Sequence, residues 1–139
     1  AATRDALVAE GGFGKYYTDH MVVCEWSEKE GWAEPELKPY GPISLDPATA
    51  VFHYGQEIFE GMKAFRQPND QIKMFRPEQN ARRFNQSARR MSMPEIPEEQ
   101  FLNACDVIKV FSQFKGCTAS SAAQIQCGSH WLTLHHFNG

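Results

Sequence analysis

The sequence has no long apolar run, no closely spaced cysteine pair and no recognisable signal peptide. None of its hydrophobic stretches approaches the roughly 20 residues that a membrane-spanning helix needs. Its opening residues lack the basic and apolar regions of a leader, so we expect a cytoplasmic protein, or an organelle protein whose targeting segment has been removed. Four widely spaced cysteines are expected to be free thiols: Cys24, Cys105, Cys117 and Cys127.

Excess positive charge is missing as well. Lysine and arginine number 14 against 17 aspartates and glutamates, which gives a formal net charge of −3 at pH 7. A general nucleic-acid-binding domain should be strongly basic, so we expect neither a nucleic-acid nor a membrane partner. With 139 residues, 42% hydrophobic and 22% charged, the chain has the size and composition of one soluble globular domain.

Several segments have the pattern of β-strands. His20 to Trp26 is rich in strand-forming residues, and residues 32–40, with two prolines, suit an edge strand or an extended loop. Residues 65–67 and 71–75 alternate in polarity on either side of the turn-forming Pro68-Asn69-Asp70, which predicts a hairpin. Residues 50–54 are predicted to be extended, and Gln56 to Glu60, bracketed by glycines, to form a single helical turn.

Two helices follow the hairpin. Pro77 and Glu78 suit a first helical turn, and an inward apolar stripe recurs at intervals of three and four: Ala81, Phe84, Ala88 and Met91. Residues 97 to about 114 show a second apolar helical face. The expected fold class is therefore α+β, with helices on one side of an antiparallel sheet.

Arginines on the first helix form the main chemical signal. Arg83, Ser87 and Arg90 are four and three residues apart, so they share one side of the helix, where two guanidinium groups and a hydroxyl would suit a phosphate or carboxylate. A solvated, charged helix face explains the same pattern. The residues alone leave both interpretations open.

Several motifs follow one another between residues 52 and 97, and their order and spacing resemble those of a known protein family. The string FHYGQEIFEGMKAFR, followed by MFRPEQNARRFNQSARR and MPEIP, closely resembles the N-terminal small domain of branched-chain amino acid aminotransferases, pyridoxal-phosphate enzymes of fold type IV. GFGKYYTDHMVVCEW and YGPISLDPATAV are similar to the family too. The resemblance divides the chain into an N-terminal arm at 1–12, a small domain at 13–104 and a departing tail at 105–139, in which the helix ends and an irregular segment with a short strand at 131–134 follows.

The resemblance implies a cofactor and site residues. Arg83 matches the arginine that binds the phosphate of pyridoxal 5′-phosphate, and Phe13, Tyr54 and Phe59 match the pocket for the substrate's branched side chain. No lysine matches the Schiff-base position, which belongs to the family's large domain, so no catalytic residue is assigned. The implied reaction of the complete enzyme, a homodimer in this family, moves an amino group from leucine, isoleucine or valine to 2-oxoglutarate. We expect this chain alone to be inactive.

Three alternatives remain. A non-enzymatic truncated form could pair with full-length subunits, because the family's small domains lie at a dimer interface. An enzyme of the same fold type acting on D-amino acids or aminodeoxychorismate is disfavoured by the FHYGQEIFEGMKAFR string. A zinc site has the right ligand types but the wrong spacing, so no metal is expected: Cys117, Cys127, His130 and His135.

Overall fold

A computed structural model of the chain describes residues 20–69, 71–114, 121–128 and 131–138, with side chains up to residue 107 except that of Arg66. Within these ranges seven strands form one antiparallel sheet: β1 (His20–Ser27), β2 (Gly31–Trp32), β3 (Glu36–Pro39), β4 (Glu57–Arg66), β5 (Ile72–Met74), β6 (Ser121–Gly128) and β7 (Trp131–Asn138). The strand order is β2-β1-β7-β6-β4-β5, and β3 pairs with the same edge of β1 as β2 does, opposite to β7. Three helices are described: α1 (Ala50–Tyr54), α2 (Pro77–Arg90) and α3 (Glu98–Phe114).

The predicted hairpin and strand at the start of the sheet are confirmed. β4 and β5 pair in antiparallel register, with Ala64 opposite Met74, across the predicted turn. β1 covers the predicted strand, a turn at 28–30 follows it, and β3 lies beside it. Local β-propensity and turn chemistry were sufficient signals in these segments.

The segment between residues 50 and 60 was predicted wrongly, with helix and strand exchanged. Residues 50–54 form the helix α1, whereas β4 already begins at Glu57. The Asp46 side chain accepts a hydrogen bond from the Ala48 N–H at 2.7 Å, which turns the chain into the helix. Gly55, at φ +58°, ends it in the left-handed conformation that glycine favours.

The tail is more regular than expected. Instead of an irregular segment, residues 121–128 and 131–138 form two strands in the centre of the sheet, of which the predicted short strand at 131–134 is a part. β6 pairs with β4 from Glu57 to Ala64, and β7 pairs with β1. Neighbouring strands thus supply the backbone partners that local propensity did not predict. The proposed boundary between residues 104 and 105 stays a prediction.

The core lies between the sheet and the two long helices. The predicted stripe of α2 is confirmed for Ala81, Phe84 and Ala88, which are at most 1% exposed, whereas Met91 follows the last helical residue and is partly buried. They belong to one apolar cluster that includes Val22 and Cys24 of β1 and Ile58 and Met62 of β4. The α3 side chain Phe101 packs against Phe84 with ring centroids 5.5 Å apart. The α+β class, with helices laid on an antiparallel sheet, is confirmed.

A short connection joins the two long helices, and one buried side chain holds it in place. Asn85 of α2 donates from Nδ2 to the Ile96 carbonyl at 2.7 Å, and its Oδ1 accepts the Ile96 N–H at 3.0 Å. Both residues are buried. None of the described helices has the length and apolar character that crossing a membrane requires.

Candidate cofactor site

Arg83 forms a two-pronged ion pair with a glutamate of the neighbouring strand. Its Nε lies 2.7 Å from Glu60 Oε1, and its Nη2 lies 2.8 Å from Glu60 Oε2. The two side chains differ sharply in burial, because the Glu60 side chain is 7% exposed and that of Arg83 is 65% exposed. A carboxylate on the core side of the sheet therefore holds a cation that remains open to solvent.

The strand pleat explains why a carboxylate lies there. Successive side chains of a strand point to opposite faces, and in β4 the buried positions are Ile58, Glu60, Met62 and Ala64. A buried charge is tolerated only with partners. Besides Arg83, Glu60 Oε2 accepts a hydrogen bond from Asn80 Nδ2 at 2.5 Å, and the same amide nitrogen contacts the Gly61 carbonyl at 3.2 Å. Glu60 thus joins β4 to two residues of α2.

The Arg83 guanidinium keeps hydrogen-bonding capacity. Of its five N–H donors, two go to Glu60, and no other described residue accepts from it. Hydrogen bonding and the charge of Glu60 both raise the pKa of Arg83, which stays protonated at any physiological pH. Within the part of the chain that the structure describes, three donors of this exposed, permanently charged group are unshared, and such a group fits one phosphate.

Three other arginines of this region, Arg76, Arg82 and Arg89, have local partners. Arg82 pairs with Glu98 at 3.3 Å, and Arg89 pairs with Glu95. The Arg76 guanidinium lies over the Phe75 ring, 5.2 Å from its centroid. For Arg82 and Arg89 a charged helix face is therefore sufficient explanation.

The predicted arrangement of two guanidinium groups around a hydroxyl needs correction. Ser87 Oγ donates to the Arg83 carbonyl at 3.2 Å, a hydrogen bond within one turn of α2. Its proton is therefore used by the helix backbone and does not face an anion between Arg83 and Arg90. Arg90 is exposed.

The structure describes two of the three predicted pocket aromatics, and both are exposed to solvent. Tyr54, the last residue of α1, is 85% exposed, and Phe59 is 68% exposed on the face of β4 opposite to Glu60. Gln56, between them in sequence, donates to the Met91 carbonyl at 2.9 Å, which fastens this segment to the end of α2. Phe59 and Glu60 are adjacent in β4, so their side chains point to opposite faces of the sheet. Phe59 and the Arg83–Glu60 pair therefore lie on different faces of this strand. Phe13 lies outside the described residues.

Other candidates can be placed only in part. Lys63 and Lys73 are exposed, as expected of hairpin lysines. Cys117 and His130 of the disfavoured zinc site lie outside the described residues, and the side chains of Cys127 and His135 are not described either. The described residues contain no group of three or more potential metal ligands.

Sequence reasoning missed Glu60 and Asn80. The signal was present, because Ile58, Met62 and Ala64 occupy alternate positions of the segment, and continuing this alternation places Glu60 on the same face. Assigning Gln56–Glu60 to a helical turn hid that alternation. Asn80 shares a helix face with Arg83, three residues away.

Comparison with known proteins identifies close sequence relatives. A probable branched-chain-amino-acid aminotransferase of Streptomyces coelicolor is 53% identical over 105 residues, covering 76% of this chain and 29% of the relative. A branched-chain-amino-acid aminotransferase of Mycolicibacterium smegmatis is 54% identical over 103 residues, covering 74% of this chain and 28% of the relative. The chain thus spans less than a third of these relatives. No family model matches it.

Solved structures show the same fold. The branched-chain amino acid aminotransferase from Thermobaculum terrenum in its PLP form superposes with a TM-score of 0.62 at 12% identity, covering 87% of this chain and 40% of that one. At such low identity the match supports the fold. Because it covers more of the chain than the first 104 residues, it extends into the tail.

Proposed function

Since the chain belongs to the branched-chain aminotransferase family, as its N-terminal small domain, we propose that it forms part of an enzyme that moves an amino group from leucine, isoleucine or valine to 2-oxoglutarate. The observation that carries the proposal is the identity of 53–54% to relatives with this name over about three quarters of the chain. The cofactor is pyridoxal 5′-phosphate, and the compartment is the cytoplasm or an organelle.

The cofactor supplies the electron-withdrawing ring and carbonyl group that amino-group transfer needs. In our proposal the residues of this chain bind and orient. Arg83 donates its unshared N–H groups to the phosphate, while Glu60 neutralises the guanidinium from the protein side. Solvent exposure and unused donors at Arg83 support this assignment.

Substrate selection is assigned to three aromatic side chains. Phe13, Tyr54 and Phe59 would contact the branched side chain of the substrate, and each CH₂ group that they bury contributes about 0.8 kcal/mol. An uncharged aromatic wall favours leucine, isoleucine and valine over acidic amino acids. The high exposure of Tyr54 and Phe59 supports a role as contact surfaces.

A chimeric enzyme tests this function. Residues 13–104 replace the corresponding segment of one of these relatives, and the purified chimera is assayed with 2-oxoglutarate and each of leucine, isoleucine, valine and D-alanine. We expect activity with the three branched-chain substrates only. Arg83→Gln in the chimera should weaken cofactor binding, measured by dialysis and absorbance, while Arg82→Gln serves as the control. Activity confined to D-alanine would refute the proposal in favour of another enzyme of this fold type.

We predict that the 139-residue chain expressed alone does not turn over, because none of its seven lysines matches the family's Schiff-base position. Leucine:2-oxoglutarate transamination should stay at background, and borohydride treatment with pyridoxal phosphate should label no single lysine stoichiometrically. Turnover together with one stoichiometric lysine adduct contradicts this prediction.

The alternative is a non-enzymatic form that pairs with full-length subunits. It is favoured by exposed aromatic rings of β4 and the segment after β5, since Phe59, Phe65 and Phe75 are 68%, 48% and 78% exposed. Exposed apolar groups of this kind commonly mark contact surfaces. Co-expression of the tagged chain with a full-length relative should yield mixed dimers. Recovery of the tagged chain as a monomer only would count against this alternative.

A further inference from the structure

We propose that Glu60 is a positioning residue for the cofactor phosphate, which it never touches: it fixes the Arg83 guanidinium in one orientation and leaves the opposite edge of that group for the anion. This inference rests on the proposed function, because it takes the ligand of Arg83 to be the phosphate of a pyridoxal cofactor. The residues that carry it are Glu60, Arg83 and Asn80.

The two partners of the Arg83–Glu60 pair differ in burial, unlike those of the other helix arginines. Both partners are exposed in Arg82–Glu98, where the side chains are 56% and 46% accessible, and in Arg89–Glu95. Among the ion pairs of the described residues, Arg83–Glu60 alone joins a buried carboxylate to an exposed cation. Apolar residues can often replace buried ion pairs without loss of stability. A carboxylate at this core position is therefore better explained by what it does to Arg83 than by stability.

Glu60 occupies one particular edge of the Arg83 guanidinium. The hydrogen bonds come from Nε and Nη2, so the carboxylate occupies the edge nearest the aliphatic stem. The remaining edge, between Nη1 and Nη2, can donate to two oxygens of one phosphate. Two parallel hydrogen bonds on one edge fix the plane of the group, and thereby aim the other edge.

Asn80 fixes the carboxylate in turn. Its amide donates to Glu60 Oε2 at 2.5 Å, so that oxygen is held by Asn80 and Arg83 together. Asn80 lies one helical turn before Arg83, and both side chains reach the same strand residue. Pre-ordering a flexible arginine lowers the entropic cost of binding a ligand to it. Asn80 thus orients the Glu60 carboxylate, and Glu60 orients the Arg83 N–H groups that donate to the phosphate.

The test follows the Arg83 Nε–H signal of the 139-residue chain by NMR. Pyridoxamine 5′-phosphate is the probe, since it has no aldehyde to react with lysines, and pyridoxamine, which lacks the phosphate, is its control. In the wild-type chain the phosphorylated probe should shift the signal and the other should not. Glu60→Gln should broaden the signal through faster exchange with water and weaken probe binding roughly tenfold.

Glu98→Gln is the matched control, because it removes the same charge from the exposed partner of Arg82. It should change neither the Arg83 signal nor probe affinity. If Glu60→Gln loses its circular dichroism signal, Asn80→Ala replaces it as the decisive variant. This variant retains the buried charge, and we expect it to bind the probe about threefold more weakly.

The outcomes separate this inference from the proposed function. If Glu60→Gln, or Asn80→Ala in its place, binds the probe as tightly as the wild type or more tightly, Glu60 does not position Arg83, although the phosphate role of Arg83 stands. If Arg83→Gln binds the probe as well as the wild type does, or the wild-type signal does not respond at all, the phosphate role and the positioning role both fail.

Discussion

Replacing Asn85 by alanine should destabilise the fold more than its small change in volume suggests. Asn85 is 8% exposed and exchanges two hydrogen bonds with the backbone of Ile96, which is 1% exposed. Alanine has no polar group for either partner. The Ile96 N–H and carbonyl would both remain inside the protein without their present partners.

The size of the effect follows from these two bonds. An intramolecular hydrogen bond contributes about 1 kcal/mol net, and a buried backbone group left unsatisfied costs about 1–3 kcal/mol. Alanine regains part of this, up to about 0.7 kcal/mol, through its higher helix propensity. We expect a net loss of roughly 2–4 kcal/mol in the free energy of unfolding, and a fall in melting temperature on the order of 10 °C for a chain of this size.

Urea and thermal unfolding followed by circular dichroism measure this loss. Asn103→Ala is the matched control, because Asn103 is exposed on α3 and the substitution changes the same atoms. The control should stay within about 0.5 kcal/mol of the wild type. A loss of similar size in both variants would refute the assignment of Asn85 as the residue that holds the connection between α2 and α3.

Two further predictions concern the core. Phe84→Ala should lower the free energy of unfolding by about 3–5 kcal/mol, because the ring is 1% exposed. Phe75→Ala, at 78% exposure, should lower it by under about 1 kcal/mol. Equal losses of stability in urea unfolding would contradict this burial pattern. Burial, aided by Glu34, raises the pKa of the Cys24 thiol from 9.0 to about 11. Stability should therefore fall by about 1–2 kcal/mol as the pH rises from 9 to 11, since only the unfolded thiol ionises readily, and an unchanged pH slope in Cys24→Ala would disprove this.

Most of the fold could be predicted because its local and tertiary signals agree. The stripe Ala81, Phe84 and Ala88 has helical spacing, lies behind a helix-starting proline and is buried. The β4–β5 hairpin combines alternation with a turn-forming tripeptide. At these positions the secondary-structure propensity of the residues and the pattern of their burial indicate the same element, so either signal alone leads to the correct prediction.

The prediction failed where residues outside a segment decide its structure. Residues 50–54 contain strand-forming side chains, but the Asp46 turn and Gly55 make them helical. Residues 121–128 contain alanines and glutamines of low β-propensity, yet they pair with β4 over eight positions. Neither contact can be inferred from the segment's own composition.

The arginines of α2 show the same limitation in electrostatic terms. Arg82, Arg83 and Arg89 follow one another along α2, but their carboxylate partners lie 16, 23 and 6 residues away in sequence. Pairing cancels most of the positive field that a count of arginines suggests. An anion at Arg83 would therefore be bound less by the net charge of the helix than by the geometry of a guanidinium whose other edge is already occupied. For this reason the strand register that buries Glu60 determines what Arg83 can bind.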